Sequence, residues 1–392
     1  MYKQRIFFSL LMSLILLMGF FSPVGAEEDH LWEEQKEMVD LHVIEKYWQE
    51  ITGEVDEYMP VMEFTDIISL MRDKDTNQID LVSVFKGLTQ YLFREVMANI
   101  YLMGRLIILA VIAALLKNLQ FAFTSGRLNS LVQALIFIVL LSLALQSFTL
   151  AASIGSEAIE RMVDFILALI PLLLTLLASL GSLASAAIFQ PLIIFCANFF
   201  SLLIKDLVFP LIFFSTVLML LDHFSQDFKI SRLGQLFRDA AIFIVGLSLT
   251  IFVGILGISG VAGSVSDGVT IRTAKFLTGA FVPVIGGMLA DAVEAVVGAS
   301  LLLKNGLVLA GVIMLFLMAV FPLLKIIAII FIYKLSSALI QPLGDTPLCD
   351  SLNTMGNCLL LIFAAVTAVS LIFFLVIVVI MGAGNAAVML RA

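Results

Sequence analysis

Asp291 and Glu294 are the residues whose types and spacing most invite a chemical reading. They stand three apart in Ala290-Asp291-Ala292-Val293-Glu294-Ala295, inside a strongly apolar part of a 392-residue chain. A helix would place both carboxylates on one face. Within hydrocarbon such a pair is costly, and would line a polar pathway or bind a cation. At the end of a helix the same pair would be an ordinary interfacial loop. A second small, polar segment runs from Ser179 through Ser182 to Ser185, with hydroxyls where the first segment carries acids. Four prolines accompany these tips, Pro171, Pro210, Pro283 and Pro322. Each lacks an N–H, so each kinks or breaks a helix. Inside a bilayer the carbonyls so freed need partners from neighbours or water.

Other chemistry is thin. The three histidines, His30, His42 and His223, are far apart, and the three cysteines, Cys196, Cys349 and Cys358, show no CxxC or Cys/His spacing. Neither a disulfide framework nor a zinc site follows. No Walker A string, GxSxG or HExxH is present, and each would be needed for its own catalytic chemistry. The expectation is therefore a protein that is not an enzyme and has no cofactor, no metal and no catalytic residues.

The elements that must position these residues are membrane spans. The chain is 61% hydrophobic and 13% charged, against roughly 45–50% and about 25% in soluble domains. A span needs about 20 mostly apolar residues. Segments 98–116, 133–154, 163–181, 183–204, 207–221, 240–263 and 357–381 qualify, and 276–340 has room for two to four crossings. The net charge of −8 is uneven. Residues 27–95 hold 18 Asp and Glu against 6 Lys and Arg, which leaves the rest mildly basic. That balance excludes nucleic acid as a partner, since phosphates need a dense basic patch.

Lys3 and Arg5 precede an apolar run to Phe21, and Val24-Gly25-Ala26 precede an acidic stretch. This is the pattern of a secretory signal over 1–26, cleaved after Ala26 or kept as an anchor. Residues 27–95 then form an acidic, helical, extracytoplasmic head, either a small packing domain or a dock for an outside partner. Pro60 interrupts its helical pattern, and Asp80 is placed to cap a second helix. The membrane domain is 96–392. Loop 117–130, with Lys117 and Arg127 and no acid, then belongs to the cytoplasmic side.

Short strings repeat within this domain. Val208-Phe209-Pro210-Leu211 returns as Val320-Phe321-Pro322-Leu323, and Ile170-Pro171 returns as Val282-Pro283, both 112 residues later. Ile136-Phe137-Ile138-Val139 returns as Ile242-Phe243-Ile244-Val245, 106 later. Repeat units of about 127–222 and 232–334 result, with a partial third copy at 345–384. The expected fold is all-α: a polytopic helical membrane protein with an internal parallel repeat. Ordinary hairpins fall at 98–154, 207–263 and 319–381. Proline-broken hairpins, open to a re-entrant reading, fall at 163–204 and 275–316, with loops at 155–164 and 264–275. The segments 179–185 and 290–294 become equivalent tips.

Several strings together carry a family resemblance. They are Arg94-Glu95-Val96-Met97-Ala98-Asn99, Leu115-Leu116-Lys117-Asn118-Leu119-Gln120, the stretch from Pro283 to Glu294, Ser300 to Asn305, Pro342-Leu343-Gly344-Asp345, and Met381-Gly382-Ala383-Gly384-Asn385. On these the chain resembles the stage III sporulation protein AE family of endospore-forming Firmicutes. The resemblance implies a multi-pass protein of the mother-cell-derived outer forespore membrane, with its head extracytoplasmic. It implies partners from the same operon: an ATPase, ring-forming proteins and small membrane subunits. Through them it implies stage II sporulation protein Q on the forespore side. It also implies membership of a secretion-type channel complex that serves forespore development and late forespore gene expression. A non-conducting scaffold of that complex, and an ion-coupled transporter using Asp291 and Glu294, are the alternative readings.

Overall fold

The computed structural model describes residues 42–55, 81–120, 126–224, 230–281, 286–343 and 346–389; the signal segment, Pro60, Asp80 and Pro283 lie outside them. Among these residues the chain is helical almost throughout and has no strand. We number the helices α1 His42–Val55, α2 Leu81–Ala98, α3 Ile100–Gln120, α4 Gly126–Ser179, α5 Leu183–Leu202, α6 Phe209–Phe224, α7 Ser231–Phe281, α8 Gly286–Ile340 and α9 Thr346–Met389. A π-helical stretch, Leu203–Val208, joins α5 to α6, and a 3-10 turn, Gln341–Leu343, follows α8.

The helices are far longer than the expected hairpins allow. The segment 155–164, expected as a loop, is the middle of the 54-residue helix α4. Glu157, Glu160 and Arg161 within it are good helix formers, and they are paired. Arg161 donates to Glu157 one turn away at 2.8 Å, and Lys205 donates to Glu160. The segment 264–275 is likewise continuous helix within α7, and 286–340 is a single helix rather than several short crossings. Among the described residues five helices are long and apolar enough to cross a membrane, or up to six if the bent pair α2–α3 is one span. The apolar stretches run 37 to 46 residues. At 1.5 Å per residue that is roughly 55–70 Å, about twice a hydrocarbon core of ~30 Å.

Two of the expected helix breaks are absent. Pro171 and Pro322 lie inside α4 and α8, which run on through them. A proline removes one backbone hydrogen bond, and the long helices on either side carry the axis past that gap. Thr175 adds a bond of its own, its Oγ1 donating to the Pro171 carbonyl at 2.8 Å. Pro210 acts differently. It follows directly on the π-helical stretch. A π turn inserts one residue into the helical repeat. It relieves the clash between the proline ring and the preceding turn without ending the helix.

The long elements alternate in direction. Leu143 and Ser147 of α4 meet Tyr333 of α8, whose Oη lies 3.2 Å from the Leu143 carbonyl and 2.8 Å from Ser147 Oγ. Gly155 lies where α4, α6 and α9 converge, since a Cβ there would be 2.8 Å from Val366 and 3.1 Å from Phe209. Gly311 of α8 similarly admits Leu169. The core of the bundle is apolar and closely packed around Phe165, Phe189, Phe252 and Phe373. α7 is the least buried of the apolar spans.

At the head end, α2 stops at Ala98 and the axis bends by 46° into α3. Asn99 makes the bend: its Nδ2 donates to the Glu95 carbonyl at 2.9 Å, while its own carbonyl accepts from Leu102 N at 3.0 Å. α1 lies against α4 and α8, with Trp48 buried and Tyr47 edge-on to Phe165 at 5.8 Å. Burial, helped by the charges of Asp164 and Glu50, raises the Tyr47 phenol above its ordinary pKa. Lys46 and Glu50 of α1 stay exposed. Charged side chains do not lie against lipid tails, so the level of Phe165 is at or beyond the edge of the hydrocarbon.

Candidate functional site

The chain reverses sharply between α4 and α5, where the sequence places Ser179 and Ser182. The reversal is a Schellman cap. Gly181 N–H donates to the Ala178 carbonyl at 2.9 Å, and Ser182 N–H donates to that of Leu177 at 3.0 Å. The cap needs a residue with positive φ just past the helix, and Gly181 supplies it at 81°. Gly181→Ala should lower the melting temperature of the detergent-solubilised chain, by a loss of about 1 kcal/mol. An unchanged melt would mean that the turn tolerates a side chain.

Ser182 is the N-cap of α5, yet its side chain makes no capping bond. The cap comes from another helix. Asp267, on α7, accepts from Ala184 N at 2.9 Å and from Ser185 N at 3.3–3.4 Å, and takes the Ser185 hydroxyl at 2.5 Å. Its carboxylate is 1% exposed. The donors it satisfies are the orphan N–H groups of a helix N-terminus, and its charge faces the positive end of the helix dipole. The Ser182 hydroxyl, displaced from its usual role, is buried with no hydrogen-bond partner among the described residues. Gly263, one turn before Asp267, lets the two helices touch: a Cβ there would lie 2.6 Å from Ser185 Oγ and 3.2 Å from Ser185 Cα.

The predicted tip residues have unlike fates. Ser179 is exposed and its Oγ donates to the Leu176 carbonyl at 2.8 Å, a local helix bond. Ser182 is fully buried. Asp291 and Glu294 stand in the first turns of α8, on the same helical face by spacing, and their side chains lie outside the described residues. The segment 290–294 is therefore not a tip. α8 begins at Gly286, and nothing in Ala290–Ala295 breaks a helix.

Two more polar contacts cross the bundle. The fully buried Lys304 donates from Nζ to the Met381 carbonyl of α9 at 2.9 Å. Lys205, in the π-helical stretch, pairs with Glu160 across the α4–α6 side of the bundle. Among the described residues no three His, Cys, Asp or Glu side chains are grouped to hold a metal. The tip is a latch that fixes α5 to α7 and buries a charge in doing so.

Sequence reasoning missed Asp267, because 264–275 read as a loop in which an aspartate is unremarkable. The signal was available. Gly260-Val-Ala-Gly263-Ser-Val-Ser-Asp267 contains no proline and continues an apolar helix, so Asp267 should have been placed inside it.

A family model for stage III sporulation protein AE matches residues 62–384. The match spans the head's second half and the whole bundle. The chain belongs to the stage III sporulation protein AE family. It is 40% identical over 371 residues to the stage III sporulation protein AE of Bacillus subtilis (strain 168), covering 93% of this chain and 92% of that one. No solved structure matches. Membership makes it a sporulation protein, and its long apolar helices make it a multi-pass membrane member.

Proposed function

We propose that the chain is the membrane subunit of a secretion-type sporulation complex that links mother cell and forespore and serves forespore development. It would sit in the mother-cell-derived membrane with α1 and the acidic head outside the cytoplasm. It would work with an ATPase, ring-forming and small membrane subunits of the same operon, and through them with stage II sporulation protein Q. The observation that carries the reading is a family-wide match on a bundle of double-length apolar helices that has no nucleotide-binding string of its own. Energy would have to come from a partner.

The packed interior favours one version. Three charged contacts within the bundle are committed to each other or to a neighbouring helix: Glu160 to Lys205, Asp267 to α5, Lys304 to α9. A conduit would then run between this chain and its neighbours, and within the chain the role is that of a scaffold. Asp291 and Glu294, in the first turns of α8, are the acids proposed for such a path. The test is the double variant Asp291→Asn, Glu294→Gln in a sporulating host. A conducting or coupling role predicts a loss of heat-resistant spores of at least about tenfold with normal protein level. Normal yield at normal level would assign the chain to scaffolding.

A further inference from the structure

A cavity of about 210 Å³, with polar and apolar walls, opens at the opposite end of the bundle from the Asp267 latch, between the end of α6, the start of α7 and the start of α9. Its walls include Asp222, His223, Ser231, Gln235, Arg238 and Asn357. The flanking helices are apolar, and several polar side chains converge on this one hollow. The hollow sits where the apolar stretches stop. Asp222 ends that of α6, and Arg238-Asp239 immediately precede the run that begins at Ala240. That is the depth at which headgroups meet the protein.

The walls carry one acid, Asp222, and one guanidinium, Arg238. The Asp222 carboxylate is occupied by Ser231 N–H at 2.9 Å, and His223 Nε2 is 3.0 Å from Thr354 Oγ1. Asn357 Oδ1 accepts from Lys334 Nζ at 2.6 Å, so what its amide can offer another partner is its N–H donors. Arg238 has no ion-pair or hydrogen-bond partner among the described residues. Arg238 and Lys334 both lie close enough to act electrostatically on Cys358 in the same wall. A planar guanidinium with free N–H groups, backed by a second cation and an amide donor, matches an oxyanion. At about 210 Å³ the hollow is below the 300–1,000 Å³ of sites for whole drug-sized ligands, so it suits a head group.

We propose that this cavity binds an anionic phosphate group, with Arg238 as its main ligand and the Asn357 amide, Ser231 and Gln235 as secondary donors. Two sources carry that chemistry at this depth, the head group of an anionic phospholipid and free phosphate. The full chain in detergent, followed by native mass spectrometry and thermal melting, tests it with phosphatidylglycerol, phosphatidylcholine and inorganic phosphate as probes. Phosphatidylglycerol should be retained over phosphatidylcholine, and Arg238→Gln should weaken retention by about tenfold or more, the cost of one charge-assisted contact. Gln235→Trp, at the exposed rim, should block the cavity with the same result and an unchanged melt. Displacement of the lipid by phosphate, or a phosphate-induced melting shift lost in Arg238→Gln, assigns free phosphate as the occupant; retention against phosphate assigns the lipid. Equal retention of both lipids with no phosphate effect overturns the proposal, as does wild-type binding by both variants.

Discussion

Asp267→Ala is expected to destabilise the bundle by about 3–5 kcal/mol, because it takes a buried acceptor away from several donors at a helix end. Three donors lose their acceptor at once: Ala184 N, Ser185 N and the Ser185 hydroxyl. Each buried donor left bare costs about 1–3 kcal/mol. Water cannot make good the loss cheaply, because Ser182, Ser185 and Asp267 are all essentially closed to solvent. The Ser182 hydroxyl can swing back to its own helix end and recover part of one bond, which keeps the total below the simple sum. Asp267→Asn keeps the Oδ1 acceptor for Ala184 and loses the charge that faces the α5 dipole, so its cost should be near half. The readouts are the melting temperature of the detergent-solubilised chain and its steady-state level in membranes. An Asp267→Ala protein that melts with the wild type would remove the latch from the account.

Helical content, the membrane class and the reversal at 180–182 were legible, because apolar composition and turn chemistry are local properties. The number of crossings was not. A 20-residue window cannot tell two short spans from one double-length helix when only charged helix formers stand between them, and Gly155 to Asp164 is such a stretch. Glu157 and Glu160 looked like loop residues because their partners, Arg161 one turn on and Lys205 far along the chain, were not part of that reading. Prolines misled in the same direction. Pro171 reads as a break from its own chemistry, yet a single missing hydrogen bond does not end a helix supported by packing on both sides. Asp267 shows the other limit. Its role exists only because α7 delivers it 83 residues away in sequence to the start of α5, and no local pattern encodes that meeting.

The lengths have a structural consequence. α4 runs about 80 Å at 1.5 Å per residue, and a hydrocarbon core of ~30 Å covers less than half of it. The Glu157–Arg161 and Glu160–Lys205 pairs divide α4 and α5–α6 into two apolar tiers. Charged pairs of that exposure favour an interface over a bilayer centre. α1 packs just past this divide, against Phe165. The tier that contains the latch thus lies on the head side of the charged pairs, where the proposed extracytoplasmic partners would meet it. Its α5 face still presents Phe195 and Phe199, stacked at 5.5 Å, to the outside.

Gly263→Val should separate α5 from α7 even with the carboxylate in place. A Cβ at 263 would lie 2.6 Å from Ser185 Oγ and 3.2 Å from Ser185 Cα. The first contact can be relieved by rotating a hydroxyl, but that rotation breaks the 2.5 Å bond to Asp267. The second involves backbone, so α5 itself must move. Overpacking of this kind costs about 1–3 kcal/mol, and the loss of the Ser185 bond adds to it. The two substitutions therefore attack one interface, and their effects should not add. In the double variant Gly263→Val, Asp267→Ala, the melting temperature should fall little further than in Asp267→Ala alone, because contacts already lost cannot be lost twice. Gly155→Val supplies the contrast. It crowds Val366 and Phe209 at the convergence of α4, α6 and α9, far from the latch, so its effect should add in full to that of Asp267→Ala. Additive behaviour of Gly263→Val would show that the glycine and the aspartate serve separate contacts. Non-additivity confined to position 263 would establish that close helix approach and the buried cap are one device, in which the absence of a side chain on one turn of α7 lets the carboxylate on the next reach the end of α5.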